Sequence, residues 1–243
     1  MRSIASIAKL KFTKRELQEK KSISVAEFLE KREKGSKQYR KIILEGPPNV
    51  VPHNIVKFGE SMEVIINLEN SKKLNSCWNI QTLTNSTRTF LFKLHNNVLG
   101  YNTAVAHFVR GHSDNCTFCD ITENVEPIRE TPVHLFYQCE TSENLINGIF
   151  SHYQSINTVV TRSELFVGFG TGNRWRDEFF FIVSKLVLKY LWDCKVRKSV
   201  PLIRIGLEII NREIQTLLKL NKKFRENFER SDINVNLVTP GDP

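Results

Sequence analysis

Cys116-Thr-Phe-Cys119 and, fourteen residues on, His134-Leu-Phe-Tyr-Gln-Cys139 make a C-x2-C-x14-H-x4-C pattern. Three thiolates and one imidazole form a Cys3His set of the kind that closes a tetrahedral shell around zinc. The two-residue gap lets one tight turn present Cys116 and Cys119 to the same ion. On the return side Thr131-Pro132 reads as a helix start, with Thr131 as N-cap and Pro132 in the first helical position. His134 then falls in the first turn. Residues five apart on a regular helix point roughly 140° apart, so Cys139 reaches the same metal only if that turn is distorted or ends there. Buried, reduced thiols beside a satisfied histidine are the metal-free alternative. A redox C-x-x-C is the poorer reading, because no strand-then-helix pattern surrounds it. Four protein ligands leave no position open for water, so such a site is structural rather than catalytic.

Other chemistry is sparse. Two-metal phosphoryl transfer needs clustered carboxylates, and no Asp-Asp pair occurs anywhere in the chain. No Ser-His-Asp or Cys-His context supports nucleophilic catalysis. His53, His95 and His152 read as core or surface histidines. Gly168-Phe-Gly-Thr-Gly172 fits neither the dinucleotide fingerprint nor the P-loop; it reads as a turn leading to Asn173, the cap of the next helix. The expectation is a protein without catalysis of its own.

The elements that must position the four ligands follow from periodicity and breakers. Thr13-x-x-Glu16 and Ser24-x-x-Glu27 are capping boxes, the second opening a short helix with Val25, Phe28 and Leu29 on one face. Gly46-Pro-Pro-Asn49 and Pro52 break the chain. Met62, Val64, Ile66 and Leu68 alternate as in a half-buried strand, spoiled by Ile65. Ser86–Val98 reads as a helix with Phe90, Leu91, Leu94 and Val98 inward, and Asn102 caps a second, short helix that Gly111 ends. This pair is the expected shelf under the metal loop, and its aromatics read as core rather than as base-stacking groups. Ser142 opens another helix. Asn173 starts a long one, in which Phe180, Val183, Val187, Tyr190 and Cys194 recur at helical spacing. From Ser199 and Pro201 a further helix carries Ile203, Leu207, Ile210, Ile214, Leu217, Phe224 and Phe228 in a heptad broken only by Asn221. Two such stripes joined by a short turn predict an antiparallel hairpin. The fold class is mainly α: a basic N-terminal arm (1–52), a helical shelf with the metal module (53–155), a helical hairpin (156–230) and a disordered tail (231–243).

Charge is divided along the chain. The net formal charge is +9, with 13 basic against 5 acidic residues in 1–41 and 14 against 7 in 174–230, whereas 42–173 holds 8 against 12. Basic flanks fit a nucleic-acid partner first, and an anionic membrane surface or acidic protein second. No apolar run is long enough to span a bilayer, and no secretory signal is seen; the acid-free, basic first residues faintly resemble a mitochondrial presequence but read better as a plain basic helix. Asp120, Glu123, Glu126 and Glu130 make the insert between the ligand pairs a poor phosphate contact. The cations left to face a ligand are Arg88, Lys93 and Arg110 on the shelf, with His107 and His112. On the last helix they are Lys222, Lys223 and Arg225, with a solvated face as the alternative. Three of the five cysteines lie in the metal pattern, leaving Cys77 and Cys194. Such usage fits a reducing compartment inside the cell, nucleus or cytoplasm.

Phe90-Leu-Phe-Lys-Leu-His-Asn-Asn-Val-Leu-Gly-Tyr-Asn-Thr103, Ala106-His-Phe-Val109, Cys116-Thr-Phe-Cys119 and Glu130-Thr-Pro-Val-His-Leu-Phe-Tyr-Gln-Cys139 resemble the C-terminal zinc-binding region of non-LTR retrotransposon reverse transcriptases. Lys185-Leu-Val-Leu-Lys-Tyr190 and Lys195-Val-Arg-Lys-Ser-Val-Pro201 resemble the helical tail that follows it there. The likeness spans 85–228, and the polymerase palm signature is absent. It implies zinc as cofactor, RNA or DNA as partner, and a place beside a polymerase domain in a larger protein. A protein-interaction or assembly module acting through the hairpin is the other reading.

Overall fold

Within the residues from His53 onward, Arg174–Arg197 is the central helix, because its middle is buried on every side. Phe179 through Leu188 are buried without interruption, followed by Tyr190, Leu191 and Cys194, and a helix buried all round belongs inside a domain. The computed structural model describes residues 51–76, 83–122, 128–154, 159–231 and 233. By compactness the chain divides into Met1–Pro52 and His53–Pro243. The capping boxes at Thr13 and Ser24, the breaker at 46–49, Cys77, Glu123 and Glu126 lie outside the described residues.

Within His53–Pro243 the order is α1 (His53–Met62), α2 (Leu68–Ser76), α3 (Asn85–His95), α4 (Asn102–Ala106) and α5 (Thr117–Thr122). A π-helical turn (His134–Gln138) follows, then α6 (Glu140–Gln154), α7 (Arg162–Phe166), α8 (Arg174–Arg197), α9 (Ile203–Leu220) and α10 (Lys222–Glu229). The fold is mainly α, and the strand-like pairing among the described residues is a single bridge, Asn115 with Arg129.

The half-buried strand expected over 62–68 does not form. Met62 closes α1, Glu63 takes a positive φ of 52°, and Val64 N–H returns to Gly59 O at 2.9 Å, a helix-ending motif. A Cβ on Gly59 would stand 2.9 Å from Val64 O, so glycine permits the tight return. The short alternation there reports a helix end rather than a pleat. Helix α3 starts one residue earlier than expected, capped by Thr84, and stops at His95, so Val98 points to solvent instead of inward. Tyr101, not Asn102, is the cap position of α4. Ser142 lies inside α6 and does not open it; its hydroxyl donates to Leu135 O at 2.6 Å.

Asn173 caps α8 as expected, accepting from Trp175 N and Arg176 N at 3.0 and 3.2 Å, after a turn in which Gly168 and Gly172 hold positive φ. Lys198, at φ 51°, ends the helix. The turn is held by Tyr190, whose hydroxyl donates to Leu202 O at 3.2 Å and accepts from Leu202 N at 3.1 Å. At the other end of α8, Phe179 meets Phe228 with ring centroids 5.4 Å apart, and Asn227 donates to Glu178 at 3.1 Å. The single helix expected over 200–229 is two. Asn221 leaves helical geometry and accepts from Phe224 N at 3.0 Å, capping α10. Ile210, Ile214, Leu217 and Phe224 of the stripe are buried, whereas Ile203 is exposed. The tail expected to fray from 231 stays attached further on, with Ser231 and Ile233 buried.

Lys185, which interrupts the apolar run of α8, is fully buried. Its Nζ donates to Phe166 O at 2.8 Å and Leu165 O at 3.3 Å, supplying partners to the last carbonyls of α7. His95 lies beside it among Phe58 and α1, and burial, reinforced by the Lys185 charge, pushes its pKa down to about 3. The unfolded chain takes up that proton near 6.5, so stability contributed by neutral His95 is complete above 6.5 and is lost as pH falls towards 3. Replacing His95 with Phe should flatten the fall in urea midpoint across that window. Ile210→Asp should cost on the order of 3–5 kcal/mol, an unpaired charge in the core, read as a large drop in melting temperature; an unchanged value would mean the α9 stripe is not core.

Candidate metal centre

The two halves of the site are brought together by the one strand-like bridge. Cys116 N–H donates to Ile128 O at 2.7 Å and Glu130 N–H to Asp114 O at 2.8 Å, laying 114–116 beside 128–130. Helix α5 begins directly after Cys116 and carries Cys119 at its first turn, where Asp120 N–H returns to Cys116 O at 3.0 Å. On the opposite side the chain starts as a helix at Pro132, with Thr131 Oγ1 accepting from His134 N at 3.1 Å, as the sequence predicts.

That helix is then distorted in the way the ligand spacing demands. From His134 to Gln138 it widens into a π turn, and Cys139 N–H bonds His134 O at 2.8 Å. A bond five residues back stacks Cys139 over His134 and removes the 140° divergence of a regular helix. Cys139 then leaves helical geometry before α6 begins.

Cys116, Cys119, His134 and Cys139 are all buried, and their ligand atoms lie within 4.8 Å of one another. Cys116 and Cys139 Sγ are 4.0 Å apart, Cys119 and Cys139 Sγ 3.8 Å, and Cys119 Sγ stands 3.4 Å from His134 Nε2. Sulfurs of a disulfide sit about 2.05 Å apart, so these are separate thiols. With metal–sulfur bonds of about 2.3 Å, a tetrahedron has S···S edges of about 3.8 Å and S···N edges of about 3.5 Å. The residues present therefore fit a tetrahedral metal ion. Without one, charge is shared unevenly. Hydrogen bonding from Cys116, then from His134 and the Ser142 and Thr141 backbone, holds Cys139 below the usual thiol range. The same Cys116–Cys139 bond, with burial, pushes Cys116 up, and burial pushes Cys119 up.

The sequence assigns Glu130 to an acidic insert; the structure places it inside the protein, with no exposed surface. One carboxylate oxygen accepts from Asn102 N at 2.7 Å, and the other from Thr117 N and Oγ1 at 3.0 and 2.8 Å. Lys195 of α8 approaches the first oxygen to 3.3 Å and also donates to Gly100 O at 2.6 Å. The first residues of α4 and α5, and the far end of α8, thus meet on one side chain next to the metal ligands. Nothing local in the sequence signals this, since a buried acid and its distant lysine have no spacing rule. Phe136 of the π turn is a second tie, its ring 6.3 Å from Phe90, 6.2 Å from Tyr101 and 6.4 Å from Trp192.

The expected nucleic-acid contacts are spread over three elements. Arg88 and Lys93 are on α3, the first half-buried and bonded to Asn85, the second exposed. Asn85, Arg88, Thr89 and Phe92 line a shallow cavity of about 290 Å³. Arg110 is exposed in the turn after α4, and Lys222, Lys223 and Arg225 are exposed on α10, where Lys222 faces Glu226 at 3.8 Å.

Comparison with protein-family models, with curated proteins and with solved structures gave no match.

Glu130→Ala should cost about 3–5 kcal/mol, because it strands Lys195 and the buried donors of Asn102 and Thr117, and should lower metal occupancy although no ligand is touched. Elemental analysis with thermal melting, with and without chelator, checks both. In the parent, chelation should lower the melting temperature, since metal binding is folding free energy.

Proposed function

We propose that this chain is a non-catalytic, zinc-stabilised nucleic-acid-binding module. It holds RNA or DNA through basic helical surfaces, in the manner its resemblance to the C-terminal region of retrotransposon reverse transcriptases implies. The observation that carries the metal half is the closed Cys3His cluster with tetrahedral edge lengths. Three thiolates and an imidazole are donors that select zinc among common cellular ions. A bound ion would lock the Cys116–Cys119 turn to the His134–Cys139 turn, leaving no position for water and hence no role in the reaction of a substrate.

The binding half is supported by where charge is left over. Glu130 is buried against Lys195 and Asp114 is bonded by Arg129 at 2.7 Å, so two carboxylates of the metal loop are already satisfied. Arg110, Lys223 and Arg225 remain in solvent, and Lys222, exposed too, meets Glu226 only at 3.8 Å. A reverse transcriptase domain in a larger parent protein, and a reducing compartment inside the cell, belong to the same proposal. No described helix is long and apolar enough to cross a membrane.

One observation favours a protein partner instead. Val196, Val200, Leu202, Ile203 and Ile205 are all exposed around the turn between α8 and α9, an apolar patch of the kind that marks interaction sites. Salt separates the two readings. Phosphate-driven binding of labelled RNA or DNA should fall steeply between low and physiological salt. Exchanging Lys222, Lys223 and Arg225 for Glu should weaken binding to all sequences alike and flatten the salt slope. Binding that is unaffected by that exchange would show the α10 face to be merely solvated, and no nucleic-acid binding at any salt would overturn the proposal.

A further inference from the structure

The aromatic side chains of the shelf divide into two groups. Phe90 and Tyr101 are 3% and 4% exposed and contact Phe136, which is the core role expected of them. Phe92, at the shallow cavity on α3, is 53% exposed and Phe108 is 89% exposed. A large apolar ring left almost wholly in water contributes nothing to burial, so packing does not account for it.

Phe108 sits on a built loop. After α4 the chain turns through Phe108 N–H to Val105 O and Val109 N–H to Val105 O, both 2.9 Å, and His112 N–H to Val109 O at 3.1 Å. Gly111 reverses it at φ 80°. Asn102, at the start of α4, ties the returning chain by donating to Asn115 O at 2.7 Å and Thr117 Oγ1 at 3.2 Å. Thr103 donates to Glu130 O at 2.7 Å. The base of the loop is therefore fastened to α5 and to the segment leading into His134, the two arms that carry the metal ligands.

Apart from Val109, half exposed next to it, the surroundings of the ring are polar, with one cation, Arg110. His107, Arg110 and His112 are exposed beside it, and residues 102–113 contain no carboxylate. The next one along, Asp114, is taken up by Arg129. Phe108 with Val109 beside it, 50% exposed, is a small apolar surface next to the Arg110 charge, unlike the broad contiguous patch that protein docking uses. It matches the pairing of a stacking face with backbone-tracking charge found where single strands are bound. A base inside a duplex offers no free face to such a ring.

Building on the proposed nucleic-acid role, we infer that Phe108 is a stacking platform for an unpaired base, flanked by Arg110 for the adjoining phosphate, and that the ligand of this module is single-stranded. The metal's part is indirect: it holds the arms to which the loop is tied.

The test uses the full chain, a labelled single-stranded oligouridine and the same label on a duplex, followed by anisotropy across a salt series. Phe108→Ala should lose single-strand affinity roughly ten- to hundredfold, the size of one lost base stack. Its salt slope, duplex affinity, metal content and melting temperature should match the parent. Phe108→Trp should bind as the parent does and add fluorescence that is quenched by the bound strand. If Phe108→Ala binds the single strand as tightly as the parent, the inference is overturned while the parent's salt-dependent binding leaves the proposed function standing. Equal loss on duplex and single strand, or a self-association of the parent that disappears in Phe108→Ala, also overturns it. A parent that binds neither probe overturns both.

Discussion

A carboxylate with no access to water must have its hydration replaced by the protein, and the way Glu130 meets that demand organises the part of this molecule that carries the Cys3His cluster. Its acceptors are filled by Asn102 N–H, by the Thr117 amide and hydroxyl, and by Lys195. Desolvating a charge in this way is tolerated only when partners are complete and well placed. The requirement therefore fixes α4, α5 and the end of α8 relative to one another at a single point. Cys116 and Cys119 border that point, so the position of one cysteine pair of the cluster is decided by a residue outside it.

The other ligand pair is positioned by a departure from regular helix. An α-helical turn would send His134 and Cys139 apart; the π turn stacks them, at the expense of ordinary i to i−4 bonding. The loss is offset in two ways. Ser142 supplies a hydroxyl donor to Leu135 O. Leu135 and Phe136 are wholly buried, the latter within an aromatic cluster with Phe90, Tyr101 and Trp192. Helix α8 thus supports both arms of the site, through Trp192 on one and Lys195 on the other.

Function, in the reading offered above, depends on what this interior arrangement leaves outside. Burying Glu130 and pairing Asp114 withdraw negative charge from the metal loop, while Arg110 and the α10 cations stay in solvent. The fastening that orders the ligands also orders the loop bearing Phe108. Metal binding and ligand binding then become linked through stiffness rather than through contact.

Local chemistry wrote several features into the sequence directly. The C-x2-C-x14-H-x4-C spacing, the Thr131-Pro132 helix start, the need for a distorted turn before Cys139, the Asn173 cap and the long helix it opens all follow from residue type and near-neighbour geometry, and all are found; burial of that helix on every side, not along one stripe, does not so follow. Short patterns with two physical explanations are ambiguous: the alternation at 62–68 belongs to a helix end, and the heptad beyond 200 is interrupted at Asn221 because a side chain there caps a new helix. What only the tertiary structure decided is the role of groups whose partners are distant in sequence. Glu130 reads as one more acid of the insert until Lys195 and two helix starts converge on it, and Lys185 reads as a break in an apolar run until α7 ends against it. Phe90 and Phe108 are alike on the page, yet one is core and the other bare. Burial depends on which elements come together, a long-range outcome that spacing along the chain does not encode.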